Sequence, residues 1–235
     1  MNIKKAKWYF ASTFCLPKLT IMKFIKSHLF VLSLIVLMVL DTFMEDVSGG
    51  FMISLLFLTI SGIIWLSIIA ANKRLFWIMI IISISIMGFV YITHFFDDSN
   101  MLAAQYLSLA ILFSIYTSIM FYLIMSTDVS SYSDISNAIS VYLLIGITFG
   151  FLYSFIEIIM PGSIVYNIDN LGDISGDMIY FSFVTLTTLG FGDILPVHKI
   201  AKVVVMFETV LGVLYIAIMI GHLVGLKAKI NKPIN

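Results

Sequence analysis

The sequence predicts an all-α membrane protein with six transmembrane helices, and a short helix and loop that re-enter the membrane between helices five and six. Hydrophobic residues make up 61% of the chain and charged residues only 11%, and the mean hydropathy is +1.09. These values lie far outside the range of soluble domains. Long apolar segments also recur along the chain, most of them near the roughly 20 residues that a helix needs to cross the hydrocarbon core.

The apolar segments give the predicted helices in order. They cover residues 27–44, 51–71, 75–95, 102–125, 138–160 and 197–226. The first is the weakest, because its apolar part ends after 12 residues at Asp41. A cleaved signal peptide is the competing interpretation. We favour a retained helix, because the nearest cleavage-like sequence, at residues 48–50, lies behind three acidic residues.

Basic residues predict the orientation of the chain. Eleven of the 13 Lys and Arg residues fall in the tail of residues 1–26, the turn at residues 73–74 and the tail of residues 227–235. The positive-inside rule makes all three cytoplasmic. We therefore expect a multi-pass protein of the plasma or inner membrane with both termini in the cytoplasm. The formal net charge is zero, and no basic patch indicates a nucleic-acid partner.

The segment between the last two helices predicts the re-entrant structure. Residues 175–187 could form a helix of roughly 20 Å, which is too short to cross a membrane. Ser175 and Asp177 suit its N-terminus. The chain must then return as extended backbone through residues 188–193. Such backbone is tolerated at membrane depth only where it is buried in protein or lines water.

The returning stretch, Thr188-Leu189-Gly190-Phe191-Gly192-Asp193, has the chemistry of a cation pathway. Backbone carbonyls can replace the water around a cation without adding full negative charge. A row of carbonyls that faces one axis needs backbone of alternating handedness, and glycine adopts positive φ freely. The candidate ion ligands are Thr188, Leu189, Gly190, Phe191 and Gly192.

This stretch resembles the selectivity filter of potassium channels, and the resemblance extends to the preceding half-helix and both flanking helices. It implies a pore domain over residues 138–226, with Tyr180, Phe181 and Thr187 on a pore helix. It also implies permeating K⁺ as the only bound ion, with no other cofactor and no enzymatic activity. Phe191 stands where the family usually has tyrosine, so it lacks a hydroxyl that would bond to aromatics behind the filter, such as Tyr180. Leu189 replaces the commoner valine.

One filter per chain cannot surround an ion, so we expect a homotetramer in the lipid bilayer without an accessory subunit. Asp193, Asp177 and Asp173 should lie at the outer mouth, where they would concentrate monovalent cations. Asp177 has a second explanation, because a carboxylate is favourable at a helix N-terminus.

The last helix carries two predicted faces. Gly212 lies where potassium channels often have a hinge glycine, although close helix packing explains it equally well. With Thr209, the residues Val213, Ile216 and Ile220 would form an apolar cavity wall that could gate by losing its water; ordinary apolar packing fits the same spacing.

The second face contains Glu208, Tyr215 and His222 at intervals of seven residues, with Gly212 between the first two. Ionisable groups inside a membrane helix normally face protein or water. We favour Glu208 as a buried, hydrogen-bonded strut over a proton-sensitive gate. His222 is either a group that titrates near neutral pH or a solvated residue near the helix end.

The first four helices, within residues 27–125, occupy the position of a voltage sensor. The fourth contains no Lys or Arg, so gating by a row of charges is expected to be absent. The linker at residues 126–137 could form a short surface helix or a serine-rich loop. Together these observations predict a passive potassium-selective channel. A weakly selective monovalent cation channel and a subunit of a coupled potassium transporter are the alternatives.

Overall fold

The computed structural model describes residues 28–36, 73–93, 98–126, 132–166 and 174–230. Residues 28–36 are helical (α1). The remaining elements are α2 (Lys73–Thr93), α3 (Ser99–Ser126), α4 (Tyr132–Ile159), β1 (Ile164–Tyr166), α5 (Ile174–Leu186), β2 (Ile194–Pro196) and α6 (Lys199–Ile230). The predicted second helix, the N-terminal tail and the outer-mouth candidate Asp173 lie outside the described residues.

Three helices of the described chain are long and apolar enough to cross a membrane: Ser99–Met125, Ile135–Ile159 and Lys199–His222. They coincide with three of the segments predicted from the sequence. Within the described residues, α2 contributes only a shorter apolar stretch, Ile80–Thr93. The total of six membrane-crossing helices therefore stays a prediction.

The linker expected at residues 126–137 is shorter in the structure. Helix α3 continues to Ser126, and α4 already begins at Tyr132. Serines can lie inside a helix because their hydroxyls can bond to the carbonyl one turn back, as Ser140 of α4 does to Ser136 at 3.0 Å. Residues 132–137 are therefore the first turns of α4, neither a separate surface helix nor a loop.

The main core lies between α3 and α4. The rings of Phe113 and Phe151 stack there with centroids 5.5 Å apart, and Tyr106 packs beside Phe151. The contacts from α2 to α3 include polar ones: Thr93 donates to the side-chain oxygen of Gln105 at 3.1 Å, and Ser83 bonds to Tyr116. Uncharged hydrogen bonds thus help to join these helices where gating charges are absent.

A small antiparallel sheet joins the C-terminal end of α4 to the N-terminal end of α6. Strand β1 pairs with β2 in the register Ile164–Pro196, Val165–Leu195 and Tyr166–Ile194. The Glu157 carboxylate at the end of α4 accepts hydrogen bonds from Gly162 N (2.7 Å), Ser163 Oγ (3.0 Å) and Ile164 N (2.8 Å). Both ends of the chain segment that contains α5 are therefore fixed to the same place.

Candidate functional site

Helix α5 is held against α4 by two glycines spaced four residues apart. A Cβ atom added to Gly146 would lie 2.6 Å from the ring of Phe183. One added to Gly150 would lie 2.6 Å from Cγ1 and 2.8 Å from Cα of Ile179. At Gly150 only glycine lets the two backbones approach this closely, and at Gly146 it leaves room for the Phe183 ring. This contact was not predicted from the sequence, although the small-xxx-small pattern typical of membrane helix packing signals it.

The helix itself matches the prediction closely. It spans Ile174–Leu186, against an expected 175–187, with Asp177 in its first turn. Phe181 is buried, and its ring contacts Tyr153 of α4 edge-on with centroids 4.9 Å apart. Thr187 follows directly, and its hydroxyl bonds back to the Phe183 carbonyl at 2.6 Å.

The loop after α5 is anchored to the last turn of the helix. The Thr188 amide donates to the Thr185 carbonyl, and the Leu189 amide to the Val184 carbonyl, both at 2.9 Å. These bonds satisfy carbonyls that every helix C-terminus otherwise leaves without a partner. The loop therefore starts from a fixed position and direction.

Positive φ angles alternate along the loop. Gly190 and Gly192 have φ of 58° and 79°, as the sequence analysis expected, and Thr188 has φ of 58°. A β-branched residue with positive φ is uncommon and costs about 1–3 kcal/mol. The sequence analysis did not anticipate it, because threonine carries no signal for this conformation. Every second residue is thus reversed in handedness, which is the backbone arrangement expected for a row of carbonyls facing one side.

The C-terminal end of the loop is tied to α5 by Tyr180. Its hydroxyl donates to Asp193 Oδ2 at 2.6 Å, and Asp193 Oδ1 accepts from the Ile194 amide at 3.0 Å. The hydrogen bond to the carboxylate raises the pKa of Tyr180 to about 12. The sequence analysis considered Tyr180 only as a partner for a hydroxyl that Phe191 lacks. In the structure its bond runs to Asp193 instead.

Replacing Tyr180 with phenylalanine is expected to loosen the C-terminal end of the loop, because Asp193 then loses one of its two hydrogen bonds. The stability of the wild type should approach that of the variant above pH 10. Because the pKa of Tyr180 is raised, the stabilisation is complete below pH 10 and is lost as pH rises through about 12 and the hydroxyl ionises. Thermal unfolding of the solubilised protein between pH 7 and 12 measures this. Tyr122→Phe, at an exposed tyrosine of α3, is the matched control. A pH-independent difference between wild type and Y180F would contradict the assignment.

Helix α6 places one stripe of residues against α4 and α5. The buried members of the stripe are Ala201, Glu208, Gly212, Tyr215 and Met219. The Tyr215 hydroxyl donates to the Ala138 carbonyl of α4 at 2.6 Å. A Cβ added to Gly212 would lie 2.6 Å from the Leu186 carbonyl oxygen, directly before the loop. The face predicted to hold Glu208, Gly212 and Tyr215 therefore packs on α4 and α5 of the same chain.

His222 continues this stripe, three residues after Met219, and is half-buried near the C-terminal end of the helix. The predicted apolar face lies away from the stripe. Val213, Ile216 and Ile220 are exposed in the single chain, and the Thr209 hydroxyl bonds to its own helix at the Val205 carbonyl, 2.8 Å away. These residues point away from α4 and α5, and their place in a cavity wall stays a prediction.

Comparison with known proteins identifies the region that contains this site. Residues 139–226 match a family model described as an ion channel. The match extends from α4 through most of α6, includes the loop, and is consistent with the pore-loop cation channel family. It covers less than half of the chain. No curated protein and no solved structure matches the chain.

Proposed function

We propose that the chain is the subunit of a passive, potassium-selective channel and has no enzymatic role. The carrying observation is the alternation of positive φ at Thr188, Gly190 and Gly192. Backbone of this kind can turn successive carbonyls toward a common axis, where they replace the hydration shell of a permeating ion. Residues 188–192 would then be the ion ligands, with the Thr188 hydroxyl at the inner end.

Four copies are needed to surround such an ion. Two features of the single chain support a homotetramer with cyclic symmetry. The side chains of Leu189 and Phe191 are 57% and 64% exposed, so the described residues of the same chain leave this side of the loop largely uncovered. Large apolar residues are also exposed over most of α6, including Met206, Phe207 and Val210. Neighbouring subunits and lipid would cover these surfaces in the cell membrane.

Voltage sensing by a charge array is not part of the proposal. Helix α3, the fourth predicted membrane helix, contains no Lys or Arg between Ser99 and Ser126. Moving one elementary charge across a membrane potential of 100 mV changes its energy by about 2.3 kcal/mol, and α3 carries no basic charge that could move. Conduction should therefore vary little with voltage beyond the driving force on the ion.

Flux into proteoliposomes tests the function directly. Vesicles loaded with K⁺ and placed in K⁺-free medium should accumulate tracer rubidium through the reconstituted protein, without a coupling ion or proton gradient. Vesicles loaded with Na⁺ instead should accumulate none, because Na⁺ cannot leave to balance the charge. Equal uptake with either internal ion would favour a weakly selective cation channel. Uptake that requires a second gradient would favour a coupled transporter.

A weakly selective channel is the second candidate, and Phe191 is the observation that favours it. The Phe191 ring is exposed in the single chain and carries no hydroxyl to anchor it behind the loop. The Tyr180–Asp193 bond fixes only the C-terminal end of the loop. If this anchoring is too weak, the carbonyl positions would adapt to Na⁺ and discrimination would fall.

A further inference from the structure

Glu208 is a carboxylic side chain with no exposed surface in the middle of α6. A buried carboxylate is costly unless a positive charge or several donors offset it. Two hydroxyls act on the carboxyl of Glu208, those of Ser182 and Tyr153, and no basic side chain of the described residues is among its neighbours. Among the described residues, the titratable groups that act on it are two tyrosines of α4, Tyr153 and Tyr142. From α5, the hydroxyl of Ser182 contacts it.

The available hydrogens decide how these groups are bonded. The Ser182 hydroxyl lies 2.7 Å from the Gly146 carbonyl oxygen and also contacts Glu208 Oε1. A serine hydroxyl has one hydrogen, and a carbonyl oxygen can only accept. If Ser182 donates to Gly146, an ionised Glu208 would place two oxygens in contact with no hydrogen between them. If Ser182 donates to Glu208, the same conflict arises at Gly146.

A proton on Glu208 Oε1 removes the conflict. The carboxylic acid then donates to Ser182, Ser182 donates to the Gly146 carbonyl, and Tyr153 donates to Glu208 Oε2. Every contact in this series of hydrogen bonds has one donor and one acceptor. The series joins the three helices around the loop, with Gly146 and Tyr153 on α4, Ser182 on α5 and Glu208 on α6.

We propose that Glu208 is held as a neutral carboxylic acid and acts as a positioning residue, fixing α5, and through it the conducting loop, to α4 and α6. Ser182 lies less than two helical turns before Thr188, so a shift of α5 at this point would be passed to the loop. The effect on ion flux rests on the proposed channel function. The protonation state does not.

Infrared spectroscopy tests the protonation state without any flux measurement. At neutral pH the wild type should show the carbonyl stretch of a protonated carboxylic acid, and Glu208→Gln should remove it. Glu157→Gln is the matched control, because the Glu157 carboxyl acts only as an acceptor; this variant should retain the band. Loss of a carboxylate band in E208Q, with no protonated-acid band in the wild type, would overturn the proposal.

Tyr153→Phe provides a second readout should Glu208→Gln fail to fold. Removing the Tyr153 donor from Glu208 Oε2 should shift the protonated-acid band to higher frequency, because the carbonyl loses its hydrogen bond. An ionised Glu208 would change the carboxylate bands instead. A Y153F spectrum with an unmoved acid band would contradict the assignment of that band to Glu208.

Stability and flux test the positioning role. Glutamine can donate to Ser182 and accept from Tyr153 as the neutral acid does, so E208Q should keep rubidium flux within about twofold of the wild type. Glu208→Ala leaves Ser182 and Tyr153 without this partner. Either rubidium flux or the equilibrium constant for folding should then fall at least about tenfold. E208Q as damaging as E208A would overturn the proposal. If neither the wild type nor any variant conducts, but the infrared band of the protonated Glu208 is present, only the proposed channel function fails.

Discussion

Gly192→Ala is expected to lower rubidium uptake at least about a hundredfold, the equivalent of about 2.8 kcal/mol. Gly192 has φ of 79°, and a Cβ there would meet no atom within 4 Å. Within the single chain the penalty is therefore one of backbone conformation, about 1–2 kcal/mol per chain and about four times that in the proposed tetramer. Alanine relaxes toward negative φ, which would turn the adjacent carbonyl away from the proposed ion axis.

The matched control for this variant is Gly88→Ala in α2. A Cβ at Gly88 also meets no atom within 4 Å, but Gly88 lies inside a helix, where alanine is favourable. Flux through G88A should equal that of the wild type. Selective uptake by G192A at the wild-type rate would show that the handedness at residue 192 does not position an ion ligand.

Gly212→Ala is expected to lower both thermal stability and flux. The added Cβ would lie 2.6 Å from the Leu186 carbonyl oxygen, a backbone atom that cannot rotate away. Helix α6 must then move relative to the end of α5, and overpacking of this kind costs about 1–3 kcal/mol. Thermal unfolding and rubidium uptake of the same preparation measure the two effects.

The sign of the stability change separates packing from a hinge. If Gly212 were only a hinge, alanine would stabilise the helix by about 0.5–1 kcal/mol while it impaired opening. Gly221→Ala and Gly225→Ala are controls on the same helix, because a Cβ at either position meets nothing within 4 Å. Reduced flux in G212A together with raised stability would reject the packing explanation.

The sequence predicted those parts of the site that depend on local chain properties. The bounds of α5 followed from the short apolar segment before the loop and from the acidic residue at its N-terminus. The positive φ of Gly190 and Gly192 followed from the ability of glycine to adopt positive φ without steric cost. The common face of Glu208, Gly212 and Tyr215 followed from helical periodicity alone. Each of these depends on neighbours within about two turns of the chain.

The features that were missed depend on contacts between distant segments. Strands β1 and β2 are only three residues long, so neither has a periodic pattern, and their pairing joins segments about 30 residues apart, from Ile164 to Pro196. The Glu208 carboxyl was predicted to be bonded, yet its partners Tyr153 and Ser182 lie 55 and 26 residues away. The positive φ of Thr188 is imposed by the turn in which it lies, against its own preference.

The sheet that joins α4 to α6 has a consequence for movement. Because β1 and β2 pair at both ends of the segment that carries α5, and Glu157 ties that sheet to α4, the N-terminal part of α6 cannot swing without breaking several hydrogen bonds at once. The part of α6 beyond Met219 has no such ties among the described residues. Movement of α6 is therefore expected at its C-terminal end, while the end next to the sheet stays fixed.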